Sequence, residues 1–254
     1  MPTIAVTNQK GGTAKTTTAI NLSAALAQAG ERVLLVDLDP QGSTTAGLGL
    51  DIYDLELSVY DALVEEVPIE DLVSPVEAEG FHLLPSSVDL AGAERELERD
   101  LGWHVVLRDG LARVMGSYDY IVIDCPPSLG PLMISALVAS DYFIIPIQAQ
   151  VFSMHGIKQL MDTVRKVRER LGADVDLLGA VLTMVDWRTR LSRRVTARIE
   201  ETFGEKMFRT KIRINTRLAE APEYAASILT FDAKSRGAED YRSLAKEVRA
   251  RVGA

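Results

Sequence analysis

The chain has 254 residues, 47% of them apolar and 25% charged, with a formal net charge of −8, which leaves room for a sizeable core and excludes wholesale disorder. A single cysteine, Cys125, excludes a disulfide framework or a multi-thiolate metal site and fits a reducing cytoplasm. No apolar run approaches the roughly 20 residues that span a bilayer, and Met1 leads into a strand-like segment without the pattern of a secretory signal. In chain order, short apolar runs predict strands at 3–8, 32–37, 81–85, 120–124, 142–147 and 177–184. Several are too continuously apolar for a half-exposed sheet. Helical spacing predicts helices at 15–29, 89–114, 132–139, 155–171, 191–203 and 236–252, with Gly30 and Gly172 as stops. Residues 50–79, rich in acids with Pro68 and Pro75, read as an irregular excursion. The alternation implies an α/β fold, a mostly parallel sheet flanked by helices on both faces. No repeat or linker interrupts it, so one domain over 1–254 is expected.

The first strand runs into Asn8-Gln9-Lys10-Gly11-Gly12-Thr13-Ala14-Lys15-Thr16-Thr17 and then a helix. A strand, a loop of small residues and a Lys-Thr pair at a helix start are what a phosphate-binding loop requires. Backbone N–H groups and the helix N-terminus face phosphates, Lys15 reaches the β and γ oxygens, and the Thr16 hydroxyl ligates Mg²⁺. The strict pattern with two framing glycines fails, because Gln9 and Ala14 occupy those places. Two later strands end in Asp37-Leu38-Asp39 and in Asp124, and the carboxyl ends of parallel strands converge on the ligand crevice. Asp124, directly after an apolar strand, has the position of a metal-coordinating acid.

These residues resemble the deviant Walker A ATPases of the ParA/MinD family, in particular the short Soj-type partitioning proteins. The likeness rests on Lys10-Gly-Gly-x-x-Lys15-Thr16, on 85–91 (Pro-Ser-Ser-Val-Asp-Leu-Ala), on Asp124-Cys-Pro-Pro, on 182–186 (Leu-Thr-Met-Val-Asp), on Glu220-Ala-Pro and on 235–238 (Ser-Arg-Gly-Ala). It implies a P-loop NTPase fold and a Mg²⁺-dependent ATPase of slow intrinsic turnover, with ATP and Mg²⁺ as cofactors. By this resemblance Lys10 reaches across a nucleotide-sandwich homodimer, Lys15 serves the phosphates, and Asp39 orients the attacking water. Nucleotide contacts are expected from Lys10, Gly11, Gly12, Thr13, Ala14, Lys15, Thr16 and Thr17. Thr183, Met184 and Asn215 are expected to flank the base, and Thr16, Asp37, Asp39 and Asp124 to surround the metal. Ala14 departs from the family's glycine, and its Cβ is costly if the backbone takes a positive φ. The usual Ile-Pro-Arg-Asn stands here as Ile212-Arg213-Ile214-Asn215, and the usual Glu-Gly as His155-Gly156.

Charge is divided unevenly along the chain. Residues 1–157 carry 7 basic and 22 acidic side chains, whereas 158–217 carry 15 basic and 8 acidic. The acidic total therefore does not exclude nucleic acid, since a basic region can present its own surface. The resemblance carries nonspecific DNA binding onto Arg188 and Arg217, with Arg190, Arg193, Arg194 and Arg213 as neighbours by local charge. It also implies a ParB-type centromere-binding partner that stimulates hydrolysis, and a cytoplasmic, nucleoid-associated protein. No helix-turn-helix domain is expected before the ATPase core. Two other readings stay open: a MinD-like membrane-associated positioning ATPase, and a ParA-like positioner of a protein cargo. For the first, the final helix offers one narrow apolar stripe without Trp or Phe, a poor interfacial anchor, so no membrane is expected. An iron–sulfur relative of the nitrogenase iron-protein type is set aside, because it needs two cysteines per subunit.

Overall fold

The computed structural model describes residues 1–99, 101–150 and 153–253, with the side chains at 153–155 and 191 outside that description. Strands β1 (Thr3–Val6), β2 (Val33–Asp37), β3 (Ser74–Val76), β4 (Phe81–Leu84), β5 (Tyr120–Asp124), β6 (Tyr142–Gln148), β7 (Asp176–Val185) and β8 (Met207–Arg213) form one sheet in the order β3-β4-β2-β5-β1-β6-β7-β8. Every neighbouring pair is parallel except β3 with β4.

The helices are α1 (Lys15–Gln28), α2 (Ser43–Gly47), α3 (Val59–Val64), α4 (Leu90–Leu97), α5 (Trp103–Val114), α6 (Pro131–Val138), α7 (Ser153–Leu171), α8 (Arg190–Phe203), α9 (Thr216–Glu220), α10 (Ile228–Phe231) and α11 (Arg236–Val252). Successive strand side chains point to opposite faces, and here they feed two separate cores. Leu34, Val36, Ile121 and Ile123 join the core under α3–α8, while Val33, Leu35, Val122 and Ile144 join the one under α1 and α11. Both faces being covered is why the central strands read as unbroken apolar runs.

Three expectations are corrected. The helix predicted over 89–114 is two, α4 and α5, separated at Gly102, whose φ of 93° no other residue type adopts cheaply; Asp100 lies outside the described residues. The excursion over 50–79 contains α3, started by a Ser58–Asp61 capping box, and the edge strand β3 around Pro75, where a missing donor is tolerated. Strand β8 escaped prediction because it lies at the sheet's other edge and carries Arg209, Lys211 and Arg213 among its apolar residues.

Parallel strands place their carboxyl ends on one side of the sheet. The connections after β1, β2 and β5 meet there, since β5 lies between β2 and β1. Asp124 is in register with Val6 on one side and with Asp37 on the other, so both aspartates stand beside the loop that follows β1.

Candidate nucleotide-binding site

The loop 8–14 is held by its own chain before any ligand is considered. The Asn8 amide donates to the Pro146 carbonyl at 2.7 Å and its Oδ1 accepts the Lys10 N–H at 3.0 Å. The buried Thr183 hydroxyl donates to the Thr13 carbonyl at 3.0 Å, tying the end of β7 to the loop. Ala14 takes a φ of 66°, the left-handed conformation in which its Cβ is strained, and its carbonyl accepts the Thr18 N–H that opens α1. Helix α1 starts without a side-chain cap or an acid in its first turn. Its free N–H groups and positive dipole end therefore face the crevice, an arrangement suited to an anion. Lys15 is buried there, whereas the Lys10 ammonium stands at the exposed rim against the Gln150 side-chain carbonyl.

Asp124 is wholly buried. Its Oδ2 accepts the Thr16 hydroxyl at 2.7 Å and the Thr44 hydroxyl at 2.8 Å, while Oδ1 has no hydrogen-bond partner. Burial pushes this carboxyl above the ordinary range, Asp39 adds to the rise, and Lys15 and the two hydroxyls oppose it. An orphaned carboxylate oxygen beside a threonine hydroxyl and a buried lysine fits a hydrated Mg²⁺ carried with a phosphate chain. Among the described residues there is no cluster of three or more His, Cys, Asp or Glu to hold a metal by protein ligands alone. A threonine hydroxyl and a single carboxylate are donors of the kind that hold Mg²⁺ next to phosphates.

Asp37 differs. Both its oxygens are engaged by the chain: Oδ1 accepts the Asp39 N–H, and Oδ2 accepts the Thr45 N–H and hydroxyl at 2.8 and 2.7 Å. It shapes the loop that presents Asp39, and burial together with the neighbouring Asp124 charge pushes its carboxyl up. Asp39 is nearly buried; its Oδ1 accepts the Gln41 N–H and its carbonyl accepts the Ser86 hydroxyl. The structure thus brings Lys15, Thr16, Asp37, Asp39 and Asp124 to one crevice, with Asp37 also holding the loop that presents Asp39. In the sequence Thr44 and Thr45 stand in no motif, and Ser86 stands only within the 85–91 block, with no role of its own. The run Gly-Ser-Thr-Thr after Asp39 was the available signal, but hydroxyls alone do not reveal which carboxylate they will meet.

Next to the loop lies a cavity of about 350 Å³, lined on one side by Ala14 and Thr17 and on the other by Ile212–Thr216, with Thr183, Met184 and Tyr241 between. Thr183, Met184 and Asn215 all reach it. Met184 sits there at a φ of 51°, a strained conformation for a non-glycine residue. Tyr241, on the distant α11, was not foreseen as part of this wall. The side chain of His155 lies outside the described residues.

Arg188 follows β7 and Arg217 follows β8, adjacent strands, so both stand at the same end of the sheet as the phosphate-type loop. Arg188 is 84% exposed and pairs with Asp186 at 2.8 Å. Arg217 pairs with Glu220 at 2.7 Å and Asp232 at 3.2 Å, its guanidinium over the Phe231 ring. Arg190, Arg193 and Arg194 are exposed on α8, and Arg213 is engaged by Asp240 and Glu239.

The family described as an AAA domain matches residues 1–177. The chain is 47% identical to the sporulation initiation inhibitor protein Soj of Bacillus subtilis, over 97% of this chain and 98% of that one. It is 42% identical to the chromosome partitioning protein ParA of Caulobacter vibrioides, over 96% and 92%. Among solved structures it resembles cobyrinic acid a,c-diamide synthase from Mycobacterium smegmatis with bound ADP and magnesium. That match has a TM-score of 0.88 and 36% identity, covering 100% of this chain and 96% of the other.

Proposed function

The chain belongs to the Soj/ParA family of partitioning ATPases, and from that premise we propose that it is an ATP-driven DNA-partitioning switch. The observation that carries the reading is the convergence on one crevice of the open α1 N-terminus, buried Lys15, and Asp124 with a free oxygen beside the Thr16 hydroxyl. The loop backbone and Lys15 bind the phosphates of ATP, and Thr16 and Asp124 hold the accompanying Mg²⁺, which neutralises charge on the transferred phosphoryl group. Asp39, held by the turn to Gln41, orients and polarises the attacking water. Lys10, already at the rim, serves the phosphates of a second copy in an ATP-bound homodimer.

Dimer closure would double the arginine surface around Arg188 and Arg217 that meets nonspecific nucleoid DNA, which is how ATP controls DNA affinity. A ParB-type partner completes the reactive geometry and returns the protein to monomers. Among the described residues no helix is long and apolar enough to cross a membrane.

The test is binding to a random-sequence duplex at several salt concentrations, with apo protein, ADP and a slowly hydrolysed ATP analogue. Binding confined to the ATP-like state and falling steeply with salt is expected. Absence of binding with nucleotide occupancy confirmed would overturn the DNA half of the proposal. Liposome flotation in the same nucleotide states would then examine the membrane-associated alternative.

A further inference from the structure

The cavity beside the loop has two walls that belong to distant parts of the chain. Ala14 and Thr17 come from the loop and α1, while Ile212–Thr216 come from the end of β8, and their only covalent connection runs through most of the molecule. One turn of α11 touches both. On the β8 side, the Arg213 guanidinium donates through Nε to both oxygens of Asp240 at 3.0 Å and through Nη2 to Asp240 at 2.6 Å and Glu239 at 2.9 Å. The Arg213 backbone N–H donates to the same Asp240 carboxylate at 3.0 Å. Gly237 lies so close to Asn215 and Leu218 that a Cβ on it would come within 3.0 Å of both side chains. On the α1 side, the next residue along the helix, Tyr241, lines the cavity and brings its hydroxyl within 3.3 Å of the Thr18 hydroxyl.

A side chain needed only to fill this place could be apolar. A forked guanidinium on a carboxylate that is itself nearly buried fixes orientation as well as contact, because both bonds must keep their geometry. The strand end it holds, Ile212–Asn215, is the cavity wall itself.

We propose that Arg213 is a positioning residue for the nucleotide base: clamped by Asp240 and Glu239, it sets the spacing between the β8 wall and the α1 wall across the first turns of α11. The inference rests on the nucleotide-binding reading above. It separates two halves of one ligand. The phosphates are held by a loop that the clamp does not touch, whereas the base enters the cavity whose width the clamp sets.

Calorimetric titration with Mg-ATP and, separately, with magnesium tripolyphosphate tests it. Asp240→Asn and Arg213→Met are expected to weaken ATP about tenfold, the size of one charge-assisted hydrogen bond. Tripolyphosphate affinity stays within about twofold, and Arg213→Lys recovers part of the loss because it keeps the charge and loses the fork. Arg213→Met strands the Asp240 charge, so if it fails to fold, Arg213→Met/Asp240→Leu removes that charge and is read in the same way. Unchanged ATP affinity in a folded variant, or an equal loss for ATP and tripolyphosphate, overturns the positioning role. Wild-type protein that binds tripolyphosphate and ATP equally overturns it as well. Wild-type protein that binds neither overturns the nucleotide reading along with it.

Discussion

Charged groups appear in two opposite settings in this molecule. Asp37 and Asp124 stand in register on adjacent strands, wholly buried, and burial pushes both carboxyls up. Arg188 with Asp186 and Arg217 with Glu220 make pairs of similar length in water, and the Arg188 guanidinium holds Asp186 down to about 2. In the crevice, the carboxylates have lost solvation that their hydroxyl partners only partly replace, so a cation brings a large gain. At the surface, water screens such a pair and leaves it little net strength, so a DNA phosphate exchanges for a carboxylate at little cost. The first setting suits a site that waits for one metal–nucleotide complex, the second a surface that trades partners freely.

The contrast is most exposed to test at the crevice. Asp39→Ala keeps the loop, Lys15, Thr16 and Asp124, so ATP affinity should stay within about threefold while hydrolysis falls about 100- to 1,000-fold, the range of a missing general base. Steady-state phosphate release beside a nucleotide-binding titration checks both numbers. Normal turnover would remove Asp39 from the water-orienting role.

The fold and the crevice were differently legible. Continuous apolar strands and the Lys10–Thr17 loop announce themselves, because burial on both faces and phosphate binding each demand particular residue types at fixed places. The hydroxyls of Thr44, Thr45 and Ser86 do not, since their task depends on which strand ends become neighbours, and the β2–β5–β1 order is not written in any local pattern. Strand β8 and Tyr241 were hidden for the same reason: an edge strand carries mixed residues, and a tyrosine on a C-terminal helix gains its meaning from Thr18, far away in the chain. Asp37 is legible in part: its position beside Asp39 places it near the metal shell, whereas the Thr45 contacts on its Oδ2 come from the packing of α2 and no local pattern announces them.

The raised carboxyls sharpen the contrast through pH. Between the unfolded value of about 4 and neutrality the folded state holds more protons than the unfolded one, so nucleotide-free protein gains stability as pH falls from 8 to 5. The gain should show as a higher melting temperature at pH 5.5 than at pH 8. Asp37→Asn should flatten that slope, and Mg-ATP should reverse it by favouring the ionised Asp124. Asp186 acts in a separate window, since its lowered value keeps its contribution whole above about pH 4 and loses it as pH falls toward about 2. A melting temperature that rises steadily with pH in the absence of nucleotide would contradict the burial argument.

At the surface, Arg217→Ala should lower DNA affinity about tenfold at moderate salt, and the slope of log affinity against log salt should become shallower by about one, the share of a single phosphate. ATP affinity and melting temperature should hardly move, because the pairs with Glu220 and Asp232 are exposed. Unchanged DNA binding would assign Arg217 to those carboxylates and to the Phe231 ring alone.

The smallest effect concerns Ala14, which lies between the two settings at the point where loop becomes helix. Its φ of 66° costs an alanine about 1–2 kcal/mol that a glycine avoids, while glycine gives back about 0.5–1 kcal/mol through the freer unfolded chain. Ala14→Gly should therefore stabilise the protein by about 0.5 kcal/mol, a shift of roughly 1–2 °C. The same strain holds the Ala14 carbonyl on the Thr18 N–H and the methyl group in the cavity wall. Relieving it leaves a more mobile loop, so the gain in melting temperature should come with slightly weaker nucleotide binding. A variant that gains both would mean that the left-handed alanine is a cost without a return.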